Sequence, residues 1–198
     1  MAKLYFKYGA MGSSKSAQAL ITQFNYEELG MTVWLIKPSV DDRDGANIVK
    51  SRVGLSREAE VITPEDSIRA CYAATGGRDV IIADEAQFFT PEQADQLFLV
   101  TVDLGIPVIC YGLRADFMMR GFPGSTRLLE IAHTIEELKT ICACGRKAIC
   151  NGRKVNGEFV FEGAQVAIDT VDNVEYQSLC PQCWYREYRA FLARHPHK

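Results

Sequence analysis

Residues 9–16 read Gly9-Ala10-Met11-Gly12-Ser13-Ser14-Lys15-Ser16 and follow directly on the apolar run Leu4-Tyr5-Phe6-Lys7-Tyr8. A strand that runs into a glycine-rich turn and then a helix is the layout of a phosphate-binding loop. Successive backbone N–H groups wrap the phosphates, a lysine supplies positive charge, and a serine hydroxyl reaches a magnesium ion. Lys15 and Ser16 fill those last two places here, and the helix expected from Ser16 to Leu29 aims the positive end of its dipole at the same anion. Ser14 stands where the pattern usually has its second glycine. Its amide is retained, but its Cβ crowds a position suited to unusual backbone angles, so a cost in ATP affinity is expected. The plain alternative for the octamer is a Gly/Ser turn that starts a helix and leaves its lysine in solvent.

The chain up to residue 140 keeps the alternation that such a loop requires. Strands are expected at Lys3–Tyr8, Thr32–Lys37, Val61-Ile62, Val80–Asp84 and Ile106–Tyr111. The last two are nearly continuous apolar runs, as in strands covered on both faces. Helices are expected at Ser16–Leu29, at Pro64–Ala74 with Thr63 as cap, and at Pro91–Asp103 with Thr90 as cap. The pattern predicts an α/β domain over 1–140 with a mostly parallel sheet, its ligands collected at the carboxyl ends of the strands. The polar stretch Pro38–Gly54 reads as a solvated loop. Residues 141–198 differ, being cysteine-rich with strand-like pieces at Glu158–Glu162 and Gln165–Ile168 and a terminal helix at Trp184–Arg194. They read as a small appended lobe.

Two carboxylates, Asp84 and Glu85, close the apolar run Val80–Ala83. A protein with a phosphate-binding loop needs an acid at a strand end, because the Mg²⁺ carried by ATP is held partly through one. Asp84 is the candidate for that role, and Glu85 is then free to act as general base on a hydroxyl nucleophile. A continuing strand would point the two to opposite sides.

Of seven cysteines, Cys142-x-Cys144 and Cys180-x-x-Cys183 form two short-spaced pairs. Four thiolates so arranged are what a tetrahedral structural zinc requires, with Cys150 as an alternative ligand and Gly145 suited to the turn after Cys144. Cys71 and Cys110 read as packing residues. The aromatics Phe88, Phe89, Phe117, Phe122 and Tyr176 follow the strand ends and can wall a pocket for a flat ring. With 22 basic and 25 acidic residues, a net charge of −3 and no block of like charges, neither nucleic acid nor a membrane surface is an expected partner. No long apolar run and no leader pattern is present, so a cytoplasmic enzyme is expected.

Taken together, GAMGSSKS, the DDRDG loop, ADEAQFF, YGLRADF, LKTICACGRKA and YQSLCPQCW closely resemble the type II thymidine kinases, the zinc-containing bacterial and animal-cytosolic family. The resemblance covers nearly the whole chain. It implies a RecA-like α/β domain, a zinc-held lobe with a lasso loop over the nucleoside, a homotetramer, and transfer of phosphate from ATP to the 5′-hydroxyl of thymidine in nucleoside salvage. By resemblance, Gly9, Ala10, Met11, Gly12, Ser13, Ser14, Lys15, Ser16, Asp84, Glu85, Ala86 and Gln87 bind ATP, with Ser16 and Asp84 toward its Mg²⁺, and Glu85 is the base. Phe117 stacks on thymine, with Met11, Phe88, Leu113, Phe122, Ile168 and Tyr176 around the nucleoside. Cys142, Cys144, Cys180 and Cys183 hold zinc. The lasso here reads Ile168-Asp169-Thr170-Val171-Asp172-Asn173 and lacks the family's glycine pair. A different class, a nucleotide-binding regulatory or nucleic-acid-associated protein with a zinc ribbon, is opposed by the acidic balance and by Glu85 standing in a full ADEAQFF context.

Overall fold

Every side chain of the run Val80–Ala83 is fully buried. A stretch with no polar alternation belongs in a sheet covered on both faces, and each of its branched residues contributes ~1.5–3 kcal/mol through apolar burial. The computed structural model describes residues 1–40, 47–166 and 173–195. The chain divides into two compact units. One comprises Met1–Tyr8, Ser14–Arg114 and Phe122–Glu137, the other Gly9–Ser13, Ala115–Gly121 and Leu138–Lys198.

The first unit contains, in order, β1 (Leu4–Tyr8), α1 (Lys15–Glu28), β2 (Val33–Pro38), β3 (Ile48–Lys50), β4 (Ser56–Glu58), β5 (Glu60–Ile62), α2 (Ile68–Ala74), β6 (Val80–Ala83), a 3₁₀ turn (Ala86–Phe88), α3 (Pro91–Leu104), β7 (Val108–Gly112), α4 (Pro123–Ile131) and β8 (Thr134–Glu137). Six strands form one sheet in the order β5-β2-β6-β7-β1-β8, and every neighbouring pair is parallel. The expected α/β class and mostly parallel sheet are therefore present. Helix α1 lies against β2, β6 and β7, α3 against β1 and β7, and α4 against α3. Phe6, Ile36, Ile81, Leu97 and Cys110 share the resulting core.

Helix α3 starts as its sequence predicts. The Thr90 hydroxyl accepts from the Gln93 amide at 3.1 Å and the Gln93 side chain accepts from the Thr90 amide at 3.1 Å. This reciprocal cap satisfies two donors that a helix start otherwise orphans. Helix α2 starts later than expected. The Asp66 carboxylate takes the Thr63 amide at 2.7 Å and the Asp66 amide donates to the Thr63 carbonyl at 3.1 Å, closing a turn. Ser67, not Thr63, caps the helix. The stretch expected as a solvated loop also differs, since β3 pairs antiparallel with β4. Buried Val49 anchors the hairpin, and the fully buried Lys37 donates to the Ile48 carbonyl at 3.0 Å. The acidic part of that loop, residues 41–46, lies outside the described residues.

The second unit contains β9 (Thr140–Ile141), β10 (Lys147–Ala148), β11 (Cys150–Val155), β12 (Glu158–Val160), β13 (Val174–Leu179) and α5 (Pro181–Arg194). Strand β11 runs antiparallel between β12 and β13. Asn156 and Gly157, both at positive φ, make the two-residue turn from β11 to β12. The strand expected at Glu158–Glu162 ends at Val160, and Gln165-Val166 is not a strand. Helix α5 begins before the expected Trp184, with Cys180 as cap and Pro181 in its first turn. Phe161 packs against Trp184, Tyr188 and Phe191, with ring centroids 5.2–5.6 Å apart. Among the described residues no helix is long and apolar enough to cross a membrane.

Candidate active site

In the first unit, β6 ends at Ala83, and Asp84 and Glu85 follow it at the carboxyl edge of the sheet. Asp84 is 3% exposed, and its Oδ1 has no hydrogen-bond partner among the described residues. Burial, reinforced by the neighbouring Glu85 charge, pushes its carboxyl up to about 7; the Ser16 hydroxyl, the Glu85 amide and the Lys15 ammonium pull the other way. A buried carboxylate with a bare oxygen, bonded to the serine of the phosphate-binding loop, is a donor set that fits a hard cation. Lys15 is itself buried. Ser14, just before α1, sits in the left-handed region at φ 60° and ψ 28°.

Glu85 does not continue the strand. Its backbone is also left-handed, at φ 49° and ψ 36°, so strict strand alternation does not set the direction of the two acids. Gln87 fixes the Glu85 side chain. The Leu113 amide donates to Gln87 Oε1 at 3.0 Å, which turns Nε2 toward the Glu85 carboxylate, to which it donates. A Cβ on Gly112 would stand 2.9 Å from Gln87 Oε1, so only glycine at the end of β7 admits this carboxamide. The Leu113 carbonyl accepts from the Ser125 hydroxyl. Ala86 is fully buried; Phe88 is half-buried and meets Phe122 edge-on with centroids 5.5 Å apart. Phe89, by contrast, is a core residue.

In the second unit, residues 9–13 are held by the small sheet. Asn151 Oδ1 accepts from the Met11 amide at 2.8 Å, the Ser178 hydroxyl donates to the Met11 carbonyl, and Thr140 donates to the Gly12 carbonyl at 3.3 Å. The Met11 amide is thus already engaged, and the Ser13 amide closes a turn on the Ala10 carbonyl at 3.2 Å. A Cβ on Gly9 would lie 2.4 Å from Ser13 Oγ and 2.6 Å from the Leu138 carbonyl. The other end of Asn151 donates to the Ala115 carbonyl at 2.9 Å. Residues 115–121 fold on themselves through Asp116, whose Oδ1 accepts from the Met118 and Arg120 amides at 2.8 and 2.9 Å. This loop carries Phe117, which is 1% exposed, with the Arg153 guanidinium carbon 3.7 Å from its ring centroid. Tyr176 is half-buried and stands opposite Arg153 in the β11–β13 register. Ile168 lies outside the described residues.

The sulfurs of Cys142, Cys144, Cys180 and Cys183 all lie within 4.8 Å of one another. Gly145, at φ +83°, makes the turn after the first pair, where its amide donates to the Cys142 carbonyl at 2.8 Å. Helix α5 begins at the second pair, and the Cys183 amide donates to the Cys180 sulfur at 3.4 Å. This bond is the main cause that lowers the Cys180 thiol to about 6. Four converging sulfurs suit a tetrahedral zinc. Cys150 packs beside this cluster and is not one of the four.

The family model described as thymidine kinase matches residues 2–184. The chain belongs to the thymidine kinase family. Among its relatives, the thymidine kinase of Ruegeria pomeroyi is 43% identical over 188 residues, 93% of this chain and 94% of that protein. That of Chromobacterium violaceum is 42% identical over 94% of this chain and all of its own length. That of Enterobacteria phage T4 is 43% identical over 93% of this chain and 96% of its own. Asn151, Arg153, Ser178 and Trp184, which hold the candidate residues Met11 and Phe117, are partners that the sequence reading missed. The first three sit on one face of the β11–β13 pair at period two. Two short strands of mixed polarity give that period no apolar contrast.

Proposed function

We propose that the chain transfers the γ-phosphoryl group of ATP to the 5′-hydroxyl of thymidine, giving thymidine monophosphate and ADP. The observation that carries this reading is the constellation of Lys15, Ser16, Asp84 and Glu85 in one unit, with the Glu85 carboxylate fixed by Gln87. Phosphoryl transfer leaves a protein little covalent chemistry to perform; it must place the reactants in line and stabilise spreading negative charge.

Lys15 supplies positive charge toward the phosphates, and the turn at Ser14 starts α1 so that its amino end faces them. Ser16 and Asp84 would hold Mg²⁺, which when bound with ATP neutralises charge on the phosphates. Glu85 accepts the proton of the 5′-hydroxyl as the oxygen attacks. Its carboxylate receives the Gln87 N–H, which sets its direction. A positioned base of this kind contributes ~10²–10⁴-fold. Phe117 provides the aromatic surface for thymine, with Met11, Phe88, Leu113, Phe122 and Tyr176 as further nucleoside contacts; Ile168 belongs to the same set. The four cysteines would hold structural zinc that braces the lobe.

A cytoplasmic enzyme acting as a homotetramer completes the reading, and sedimentation of the purified protein tests the assembly. The activity is tested by ADP release with ATP and Mg²⁺, with and without thymidine, and with 5′-deoxythymidine as control. Release that needs thymidine and fails with the 5′-deoxy analogue is the expected result. Release that ignores thymidine contradicts the reading.

A further inference from the structure

Arg153 is 6% exposed in the central strand of the small sheet, and its charged fork is bound on two sides. One terminal nitrogen donates to the Ala164 carbonyl at 2.9 Å and the other to the Glu162 carbonyl at 2.7 Å. Its guanidinium lies 3.7 Å from the centre of the Phe117 ring. Its Nε is buried and has no hydrogen-bond partner among the described residues. The side chain is therefore oriented by the two carbonyls and the ring, at the expense of its third nitrogen. Gly163 fits between those carbonyls at φ +106°, and a Cβ there would stand 2.7 Å from the arginine fork. Phe117 is held from other directions as well. Its carbonyl accepts from Trp184 Nε1 at 2.9 Å, and the neighbouring Asp116 takes the Gln165 carboxamide at 3.1 Å.

We propose that Arg153 is a positioning residue for the nucleoside base: it locks the orientation of the Phe117 ring and ties it to the backbone at residues 162–164. This rests on the reading of Phe117 as the ring that meets thymine. A planar cation on an aromatic face, in a site stripped of water, fixes a ring more firmly than apolar packing does. The arginine does not touch the reacting atoms. Its loss should weaken thymidine and spare the ATP half of the reaction.

The test is steady-state kinetics on wild type, Arg153→Lys, Arg153→Met and Gly163→Ala, varying thymidine and ATP separately, with thermal melts alongside. Arg153→Met should raise the KM for thymidine ~10- to 100-fold, the scale of a lost desolvated cation–π contact. The KM for ATP should stay within about two-fold, since none of these bonds reaches the phosphate-binding residues. Arg153→Lys keeps the charge without the fork and should fall between. Gly163→Ala keeps the arginine but displaces its fork and strains the backbone at φ +106°, and should shift thymidine in the same direction; it carries the test if Arg153→Met does not fold. An unchanged thymidine KM overturns the proposal. So does a parallel rise in both KM values with a falling melting temperature, which marks a purely structural role. A lower thymidine KM also overturns it, since the base would then be displacing the guanidinium. Wild type that turns over no thymidine removes the proposed function itself, and this proposal with it.

Discussion

Two residues of the candidate site, Ser14 and Glu85, hold left-handed backbones without being glycine. Such conformations cost of order 1–3 kcal/mol each and persist where surrounding structure enforces them. For Ser14 this relocates a cost that the sequence alone assigns to ATP binding. The left-handed turn belongs to the fold at the start of α1, and its cost is assigned to folding. Ser14→Gly should therefore leave the KM for ATP within about two-fold and change stability by less than about 1 kcal/mol. Relief of strain and the added freedom of the unfolded chain nearly offset. ATP binding tightened five-fold or more would show that the turn forms only on binding. Asp84 gives a second expectation at this scale. Its carboxyl is raised toward about 7 by burial, so the folded state holds its proton more tightly than the unfolded chain does. Stability present below about pH 4 is lost as pH rises toward and through 7. In metal-free, nucleotide-free protein, Asp84→Asn should gain in melting temperature over wild type as pH climbs through that window, then level off. A gap that does not grow with pH would mean the carboxylate is well solvated.

Among the elements, the small sheet is tied to part of the phosphate-binding loop as well as to the cysteine cluster. Asn151 and Ser178 hold Met11, while Leu179 and Cys150, one register step away, pack with Cys142, Cys180 and Cys183. If zinc braces this sheet, Cys183→Ser should raise hydrogen exchange in residues 9–13, 115–121 and 138–166 while β1, β6 and β7 stay protected. Peptide-level exchange by mass spectrometry measures this. Exchange confined to the cysteine turns would break the link. The same elements show what was legible beforehand. Strands β6 and β7 announce themselves because both faces are covered and their runs are nearly continuously apolar. Helix α3 does so because Thr90, Pro91 and Gln93 form a cap by local chemistry alone. Strands β11 and β13 do not, because Asn151, Arg153, Tyr176 and Ser178 face polar work while Gly152 gives its place to Phe159 and Leu179. The late start of α2 turns on Asp66, whose carboxylate competes for the Thr63 amide; the spacing of apolar residues carries no trace of that bond.

For the whole molecule, the phosphate-binding octamer and the acidic strand end stand out in the sequence as candidate site residues, because each is a short motif with its own chemistry. The parts that orient them were not. Gln87 reaches Glu85 only because β7 delivers the Leu113 amide and a glycine beside it, and that is a property of the folded sheet. The account stands or falls on Glu85 as the group that takes the thymidine proton. The direct measurement is kcat of wild type and Glu85→Gln at saturating ATP and thymidine, with both dissociation constants measured by calorimetry. The variant should bind both substrates within about three-fold of wild type while kcat falls ~10²–10⁴-fold, the loss expected for an interaction made in the transition state. Wild-type kcat in Glu85→Gln would contradict it.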